Sequence, residues 1–96
     1  MIDLGMIAKP RPCVILSVRY RDDEKAVVTY VTRTTQIRGG RFEVEHVAPH
    51  FLPGVFDAQS IGTVPTVKLM RRLARLSEAK LAEVENAVQH WLGFRE

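Results

Sequence analysis

The sequence predicts a mainly β fold closed by one C-terminal α-helix, and three observations support this expectation. Val, Ile, Thr and Tyr occur in short runs that turn residues separate. The apolar spacing becomes helical only after Ser77. The chain has 96 residues, enough for one modest core and too few for two. We therefore expect a single domain over residues 1–96, with a barrel up to about residue 76 and a helix over about 77–92.

Five short strands are expected, each bounded by turn residues. The first begins as the apolar run CVIL, which is typical of a strand buried on both faces. The acidic turn RDDEK separates it from a Val- and Thr-rich strand, so the two form an antiparallel hairpin. RFEVEHV alternates strictly and places Phe42, Val44 and His46 on one face. The predicted strands are 13–20, 26–32, 41–47, 55–64 and 66–76, with Pro65 between the last two.

The end of the chain predicts one amphipathic helix. Its apolar positions, which recur at helical spacing, are Leu81, Val84, Val88 and Trp91. Ser77 suits the N-cap and Gly93 suits the position that ends the helix. Short antiparallel strands packed by a single helix are typical of a small barrel of the SH3 type.

Composition excludes several classes of protein. Apolar residues make up 46% of the chain and charged residues 26%, which is typical of a globular domain and not of a disordered one. No apolar run approaches the roughly 20 residues of a membrane span, and the first residues lack a signal-peptide pattern, so we expect a soluble cytoplasmic protein. The one cysteine, Cys13, is expected to be a buried thiol. With three scattered histidines it forms no zinc pattern, and we expect neither a metal nor another cofactor.

Positive charge is concentrated before the predicted helix. The net charge is +3, but residues 9–75 contain twelve Lys and Arg residues against six Asp and Glu residues. Most of these cations are arginines, whose guanidinium groups bind phosphate or carboxylate with two parallel hydrogen bonds. This distribution favours a partner that carries phosphate groups.

The segment VTRTTQIRGGRFEV, residues 31–44, is more polar than a turn between two strands requires. A hairpin connection needs only about two to five residues. Here the pair Thr34-Thr35, a glutamine and three arginines surround a Gly-Gly pair. The surplus requires an explanation other than turn geometry.

Four segments, in order, carry a resemblance over nearly the whole chain. They are KPRPCVILS (9–17), RTTQIRGGRFEV (33–44), GVFDAQSI (54–61) and VKLMRRLARLSEAKLAEVENAVQHWLG (67–93). Together they resemble the MazF/PemK family, the endoribonuclease toxins of bacterial toxin–antitoxin pairs. The resemblance implies a homodimer of SH3-like barrels that cuts single-stranded RNA without a metal ion, often at a short preferred sequence. It also implies a cognate antitoxin, whose peptide would block the RNA groove and is expected to be acidic.

The resemblance further implies roles for individual residues. Arg11 and Thr34 align with the family's catalytic arginine and threonine, so the guanidinium would stabilise the transition state and the hydroxyl would orient the scissile phosphate. The expected products carry a 2′,3′-cyclic phosphate and a 5′-OH. The polar loop would form an RNA-binding wall. The expected RNA-binding residues are Lys9, Arg33, Thr35, Gln36, Arg38 and Arg41. From the residues alone, Arg11 would only fix an extended strand entry, and Thr34 would be a β-former or turn-capper.

Three further residues are candidates for the site: His50, Asp57 and Gln59. His50 lies in a Pro-rich loop, where it could act as an acid or base, whereas His46 is expected to be a packed core histidine. Some family members carry a catalytic Asp directly before the Gln of the fourth strand, and this sequence has Ala58 there. Asp57 lies one residue earlier, and a one-residue shift turns a strand side chain to the opposite face. We therefore do not expect Asp57 to be a simple replacement.

Two alternative functions use the same barrel without RNA cleavage. One is a CcdB-type toxin, which poisons DNA gyrase through a Trp near the C-terminus; Trp91 fits this pattern, although its place on the apolar stripe favours core packing. The other is a non-toxic barrel that binds nucleic acid or protein. Only MIDL remains of the family's first strand, so either the start of the chain is shortened or the barrel has a weak edge that a partner strand could fill. Only the enzyme requires Arg11 and Thr34.

Overall fold

The fold is a four-stranded antiparallel sheet covered by one helix, in a computed structural model that describes residues 11–94. In chain order the elements are β1 (Cys13–Ile15), β2 (Val27–Thr34), β3 (Glu43–His46), β4 (Gly54–Pro65), a 3₁₀ helix (Thr66–Lys68) and α1 (Glu78–Leu92). The strand order in the sheet is β1-β2-β4-β3. The prediction of a mainly β fold with one C-terminal helix is confirmed.

The two long strands, β2 and β4, form the centre of the sheet. Their register shifts between Val31 and Thr32: Val31 lies opposite Ile61, but Thr32 lies opposite Asp57. Residues 58–60 of β4 therefore have no partner on β2 and form a bulge. A bulge bends its strand and changes the direction of nearby side chains. This one lies beside the candidate site described below.

The core lies between one face of the sheet and α1. Its buried residues are Val31, Val44, Phe56 and Ala58 from the sheet and Val84 and Val88 from the helix. Side chains alternate across a strand, so the neighbours of Val31 in β2, Tyr30 and Thr32, point to the other face. One face of β2 thus builds the core, while the other remains available for a site.

Both ends of α1 agree with the prediction from sequence. The Ser77 hydroxyl accepts a hydrogen bond from the Lys80 amide at 3.1 Å, as an N-cap does. Gly93 ends the helix in the left-handed conformation, with φ of 76°. Trp91 is less buried than its apolar spacing predicts, since 42% of it is exposed, and its ring packs edge-on against Phe42 at 5.4 Å.

The predicted strand over 66–76 is wrong. Residues Thr66–Lys68 form the 3₁₀ helix, and no strand follows before α1 within the described chain. The Thr66 amide still donates a hydrogen bond to the carbonyl of Ala26 at 2.9 Å. Ala26 is the last residue before β2 begins. Beyond that point β4 has no β2 backbone left to pair with, so the chain leaves the sheet.

The first strand is shorter than predicted because a side chain interrupts the pairing. The Leu16 amide bonds to the Thr29 carbonyl at 2.9 Å. The Thr29 amide then donates to the Ser17 hydroxyl at 3.0 Å instead of to a backbone carbonyl. Residues 16–20 therefore lie outside β1. The MIDL segment falls outside the described residues. No helix of the described chain is long and apolar enough to cross a membrane.

Candidate functional site

A polar groove of about 790 Å³ lies on the face of the sheet opposite α1. It brings together residues from β2, β4, the loop 35–42 and the segment that precedes β1. Its lining residues are Arg11, Tyr30, Thr32, Thr34, Gln36, Arg38, Gly40, Phe42, Glu43, Asp57, Gln59, Ser60 and Ile61. Six of them were candidates from sequence: Arg11, Thr34, Gln36, Arg38, Asp57 and Gln59.

Strand pairing places Arg11 beside Thr34. β1 pairs with β2 so that Cys13 lies opposite Thr32. The Arg33 amide donates to the Pro12 carbonyl at 2.9 Å, so the pairing continues before β1 begins. One further step in this antiparallel register puts Arg11 opposite Thr34. Directly opposed side chains lie on the same face of a sheet, here the face that lines the groove.

The Thr34 hydroxyl is held with its proton available. Its oxygen, Oγ1, accepts a hydrogen bond from the Gln36 amide at 3.0 Å. A hydroxyl that accepts from a backbone N–H still has its own proton to donate. The hydrogen bond also fixes the first residues of the loop relative to β2. Thr34 can therefore donate to an oxygen atom bound in the groove.

Asp57 enters the groove through the pairing of β2 with β4. It lies opposite Thr32, and its carboxylate accepts hydrogen bonds from the Gln59 amide and the Ser60 hydroxyl, both at 3.0 Å. Ala58, which stands where some family members carry their Asp, is fully buried in the core. Asp57 therefore lines the groove, whereas Ala58 faces the core.

The loop 35–42 is anchored at its far end by Glu43. The Glu43 carboxylate accepts hydrogen bonds from the Gly39 amide at 2.8 Å and from the Arg38 amide at 3.2 Å. Gly39 has φ of 76°, a left-handed conformation that glycine adopts without a steric cost. The loop is therefore shaped by specific contacts at both ends.

The cations and the acids of the groove differ in their hydrogen bonding. Among the described residues, the guanidinium groups of Arg11 and Arg38 have no hydrogen-bond or ion-pair partner, whereas the carboxylates of Asp57 and Glu43 accept the hydrogen bonds given above. Guanidinium groups without a partner can bind anionic oxygen atoms. The groove can therefore bind an anion even though it contains two acids.

The assignment of Arg33 to RNA binding is corrected by its position. Only 5% of Arg33 is exposed, and its guanidinium lies behind the groove, where it bonds to His46 and to the Leu52 carbonyl. Because side chains alternate along β2, Thr32 and Thr34 line the groove while Arg33 points to the opposite face. His46 is a partly buried histidine that packs against Phe56 with ring centroids 4.8 Å apart, as expected from sequence.

Three other predicted residues do not line the groove. Thr35 is exposed just after β2. Arg41 is exposed and lies over the Phe42 ring, with its guanidinium carbon 4.5 Å from the ring centroid. His50 is exposed in the loop between β3 and β4 with φ of 68°. Lys9 lies outside the described residues.

Sequence reasoning missed part of the groove. The missed lining residues include Tyr30, Phe42, Glu43 and Ser60. Tyr30 and Thr32 share a face with Thr34 by simple alternation, so they could have been found from the position of Thr34. Nothing in the sequence indicated Ser60, because the bulge in β4 determines where it points.

Metal-ligating side chains do not cluster in residues 11–94. No three His, Cys, Asp or Glu side chains there are grouped so that they could hold a metal ion. The groove contains two carboxylates and no histidine or cysteine.

The fold and the groove together define a class of small toxin barrels. Residues 3–92 match the family of PemK-like, MazF-like toxins of type II toxin–antitoxin systems, and the chain belongs to this family. No curated protein has a sequence that matches the chain.

Solved structures of the same fold come from several bacteria. A mycobacterial endoribonuclease in complex with its cognate antitoxin is 26% identical, with a TM-score of 0.83 over 99% of this chain and 90% of that one. The Mycobacterium tuberculosis toxin MazF-mt6 is 24% identical, with a TM-score of 0.77 over 90% and 89% of the two chains. MazE-MazF from Deinococcus radiodurans is 24% identical, with a TM-score of 0.75 over 88% and 87%.

Proposed function

We propose that this chain is the toxin of a type II toxin–antitoxin pair and that it cuts single-stranded RNA in the polar groove without a metal ion. The observation that carries the proposal is the placement of Arg11 opposite Thr34 in the groove, with Asp57 on the neighbouring strand. An unpaired guanidinium, a hydroxyl donor and a carboxylate are the groups that RNA transesterification needs.

In this reaction the ribose 2′-oxygen attacks phosphorus and the bond from phosphorus to the 5′-oxygen breaks. The products are a 2′,3′-cyclic phosphate and a 5′-OH. Arg11 stabilises the additional negative charge on the phosphate oxygens, because a guanidinium can donate two hydrogen bonds to them at once. The Thr34 hydroxyl donates a hydrogen bond to one of the same oxygens. This hydrogen bond fixes the orientation of the phosphate.

Asp57 is a groove carboxylate on β4 that can accept the 2′-hydroxyl proton. A carboxylate has about four lone-pair sites, and Gln59 and Ser60 occupy one on each oxygen, so both oxygens can still accept. These two hydrogen bonds also fix the orientation of the carboxylate. The groove is open to solvent, so water can supply the proton that the departing 5′-oxygen requires.

The substrate is single-stranded RNA because its bases can unstack and lie against protein side chains. Two aromatic side chains line the groove, and because Tyr30 is buried, such a contact falls to Phe42, which is only partly buried. Arg38 supplies a further phosphate contact at the loop. The preferred cleavage sequence depends on how this loop fits around the bases.

The first test is the incubation of a long single-stranded RNA with the purified protein in EDTA. We expect cleavage that leaves 2′,3′-cyclic phosphate and 5′-OH ends. Arg11→Ala should slow it by about 100-fold or more, because a donor to the transition-state charge is lost. Arg19→Ala is the matched control, since Arg19 is exposed and does not line the groove. A folded protein that does not cut RNA, or an Arg11→Ala variant as fast as Arg19→Ala, would overturn the proposal.

The proposed partners are a second copy of the chain and a cognate antitoxin in the cytoplasm. Among the similar structures, the mycobacterial endoribonuclease was solved with its cognate antitoxin. An acidic antitoxin segment would complement Arg11 and Arg38 and so compete with RNA for the groove. Binding by an antitoxin whose contact segment lacks Asp and Glu would contradict this mode of inhibition.

A further inference from the structure

The buried side chain of Arg33 joins three parts of the chain behind the groove. Its Nε donates to Nδ1 of His46 at 2.8 Å, and its Nη2 donates to the carbonyl oxygens of His46 at 2.9 Å and of Leu52 at 2.6 Å. Its guanidinium carbon also lies 5.2 Å from the ring centroid of Phe51. Arg33 therefore connects β2 with both ends of the loop that links β3 to β4.

These contacts are adjacent to Thr34. Arg33 precedes Thr34 in β2, and Gly54, at the start of β4, lies against both of them. A Cβ atom placed on Gly54 would be 2.6 Å from the Thr34 carbonyl oxygen and 2.8 Å from Nη1 of Arg33. The Arg33 guanidinium and the Thr34 carbonyl oxygen therefore pack against the same glycine, in a region with no spare space.

We propose that Arg33 is a positioning residue for Thr34 and that His46 holds Arg33 in place only while Nδ1 of His46 carries no proton. The inference rests on the proposed ribonuclease function, because the consequence of misplacing Thr34 is slower RNA cleavage. Nδ1 accepts the hydrogen bond from Arg33, so a proton there would remove the acceptor and set two cations against each other.

The surroundings of His46 oppose its protonation. Burial lowers its pKa below the ordinary value of 6.5, and the positive charges of Arg33 on β2 and Lys80 on α1 lower it further. Arg33 and His46 line a second cavity, of about 720 Å³, on this side of the sheet. The other charged or titratable groups that line this cavity are Cys13, Arg71, Arg72, Arg75 and Glu78. The loop and β4 contribute only the rings of Phe51 and Phe56. The hydrogen bond is therefore intact at neutral pH and is lost in acid.

An apolar side chain would fill the position of Arg33 at a smaller desolvation cost. Replacing buried ionic groups by well-packed apolar ones is often neutral or stabilising. Only a planar guanidinium, however, can donate in fixed directions to a ring nitrogen and two carbonyl oxygens. Stability alone does not require this geometry, but the precise placement of a neighbouring hydroxyl does.

The test compares three variants under single-turnover conditions over about pH 5 to 8, the range in which histidine titrates. Arg33→Lys keeps the charge but cannot reach all three acceptors. His46→Asn keeps an acceptor at the place of Nδ1, and that acceptor cannot be protonated in this range. Arg19→Lys is the matched control, because Arg19 is exposed and lies outside both the groove and the cavity. RNA binding is measured in parallel with 2′-O-methyl RNA, which cannot be cut.

We expect Arg33→Lys to slow cleavage by about tenfold or more, since small misplacements of a reacting group have large effects. Its affinity for the methylated RNA should change less than about threefold, because Arg33 does not touch the groove. The wild-type rate should fall in acid, and this fall should be absent in His46→Asn. The proposal would be overturned by a folded Arg33→Lys variant that cuts RNA at the wild-type rate. It would also be overturned if the cleavage rate of His46→Asn fell in acid as much as the wild-type rate does.

A separate measurement distinguishes failure of this inference from failure of the proposed function. If the wild type does not cut RNA, the ribonuclease proposal fails, but the contact between His46 and Arg33 can still be followed by NMR. The amide signals of Thr34 and Gln36 should shift with pH along the titration curve of the His46 ring, and they should not shift in His46→Asn. If the amide signals of the wild type do not shift along the His46 titration curve, the positioning role is overturned.

Discussion

Arg33 and Thr34 are neighbours in β2, yet they face opposite sides of the sheet and serve different purposes. The sequence predicted both for the RNA groove because both belong to one polar segment. In a strand, however, the face of a side chain depends on whether its position is odd or even, and not on its polarity. Val31, a buried residue two positions before Arg33, already indicated that Arg33 points to the core side. A polar residue in a strand should therefore be assigned by its alternation before its chemistry.

The structure also gives two exposed arginines of the loop different positions. Arg38 lines the groove, whereas Arg41 lies over the Phe42 ring outside it. We expect Arg38→Ala to reduce the salt dependence of RNA binding by about 0.7 in the slope of log K against log salt, the effect of one phosphate contact on a single strand. Arg41→Ala should leave that slope unchanged. Titrations of 2′-O-methyl RNA at several salt concentrations measure both, and equal slopes for the two variants would contradict the placement of the loop.

At the scale of elements, the positions of the strands and of the helix caps were predictable, but the lengths of the strands were not. Local patterns located every strand in the sheet, and Ser77 and Gly93 correctly marked the ends of α1. The errors arose where a non-local contact decides the outcome. Ser17 ends the pairing of β1 with its side chain, and the chain after Pro65 leaves the sheet because β2 has no further backbone to pair with. Residues far apart in sequence determine both events.

The close approach of β4 to β2 makes Gly54 intolerant of a side chain. Gly54→Ala would place Cβ 2.6 Å from the backbone oxygen of Thr34, so the strands must separate. We expect the free energy of unfolding to fall by about 1–3 kcal/mol, the usual effect of overpacking. Gly40→Ala is the matched control, since a Cβ there would meet no atom within 4 Å. Urea denaturation of the two variants measures the difference, and equal midpoints would argue against the close approach.

At the scale of the whole molecule, one sheet separates two environments. The groove face is polar and open, with Arg11, Thr34 and Asp57 along it. The opposite face carries the core and buried Arg33 with its partner His46, which is partly buried. The family resemblance pointed to Arg11 and Thr34 from sequence, whereas only the fold revealed that Asp57 lines the groove and which residues lie behind it. A change behind the sheet can therefore alter both stability and the position of a groove residue.

The stability of the whole domain should depend on pH through His46. Its pKa is lowered in the fold, chiefly by burial, so between this lowered pKa and the ordinary value of 6.5 the unfolded chain binds a proton that the folded chain does not. The contribution of neutral His46 to stability is complete above about pH 6.5 and is lost as the pH falls through the lowered pKa. The slope cannot exceed about 1.4 kcal/mol per pH unit, the limit for one proton.

Urea denaturation at successive pH values measures this slope, and His46→Asn should remove it even though the variant loses ring packing against Phe56. His50→Asn is the matched control, because His50 is exposed and its positive φ is one that Asn tolerates, so the slope should persist. A slope that survives in His46→Asn would assign the acid sensitivity to another group. A slope that disappears only in that variant would show that protonation of one ring behind the sheet destabilises the domain.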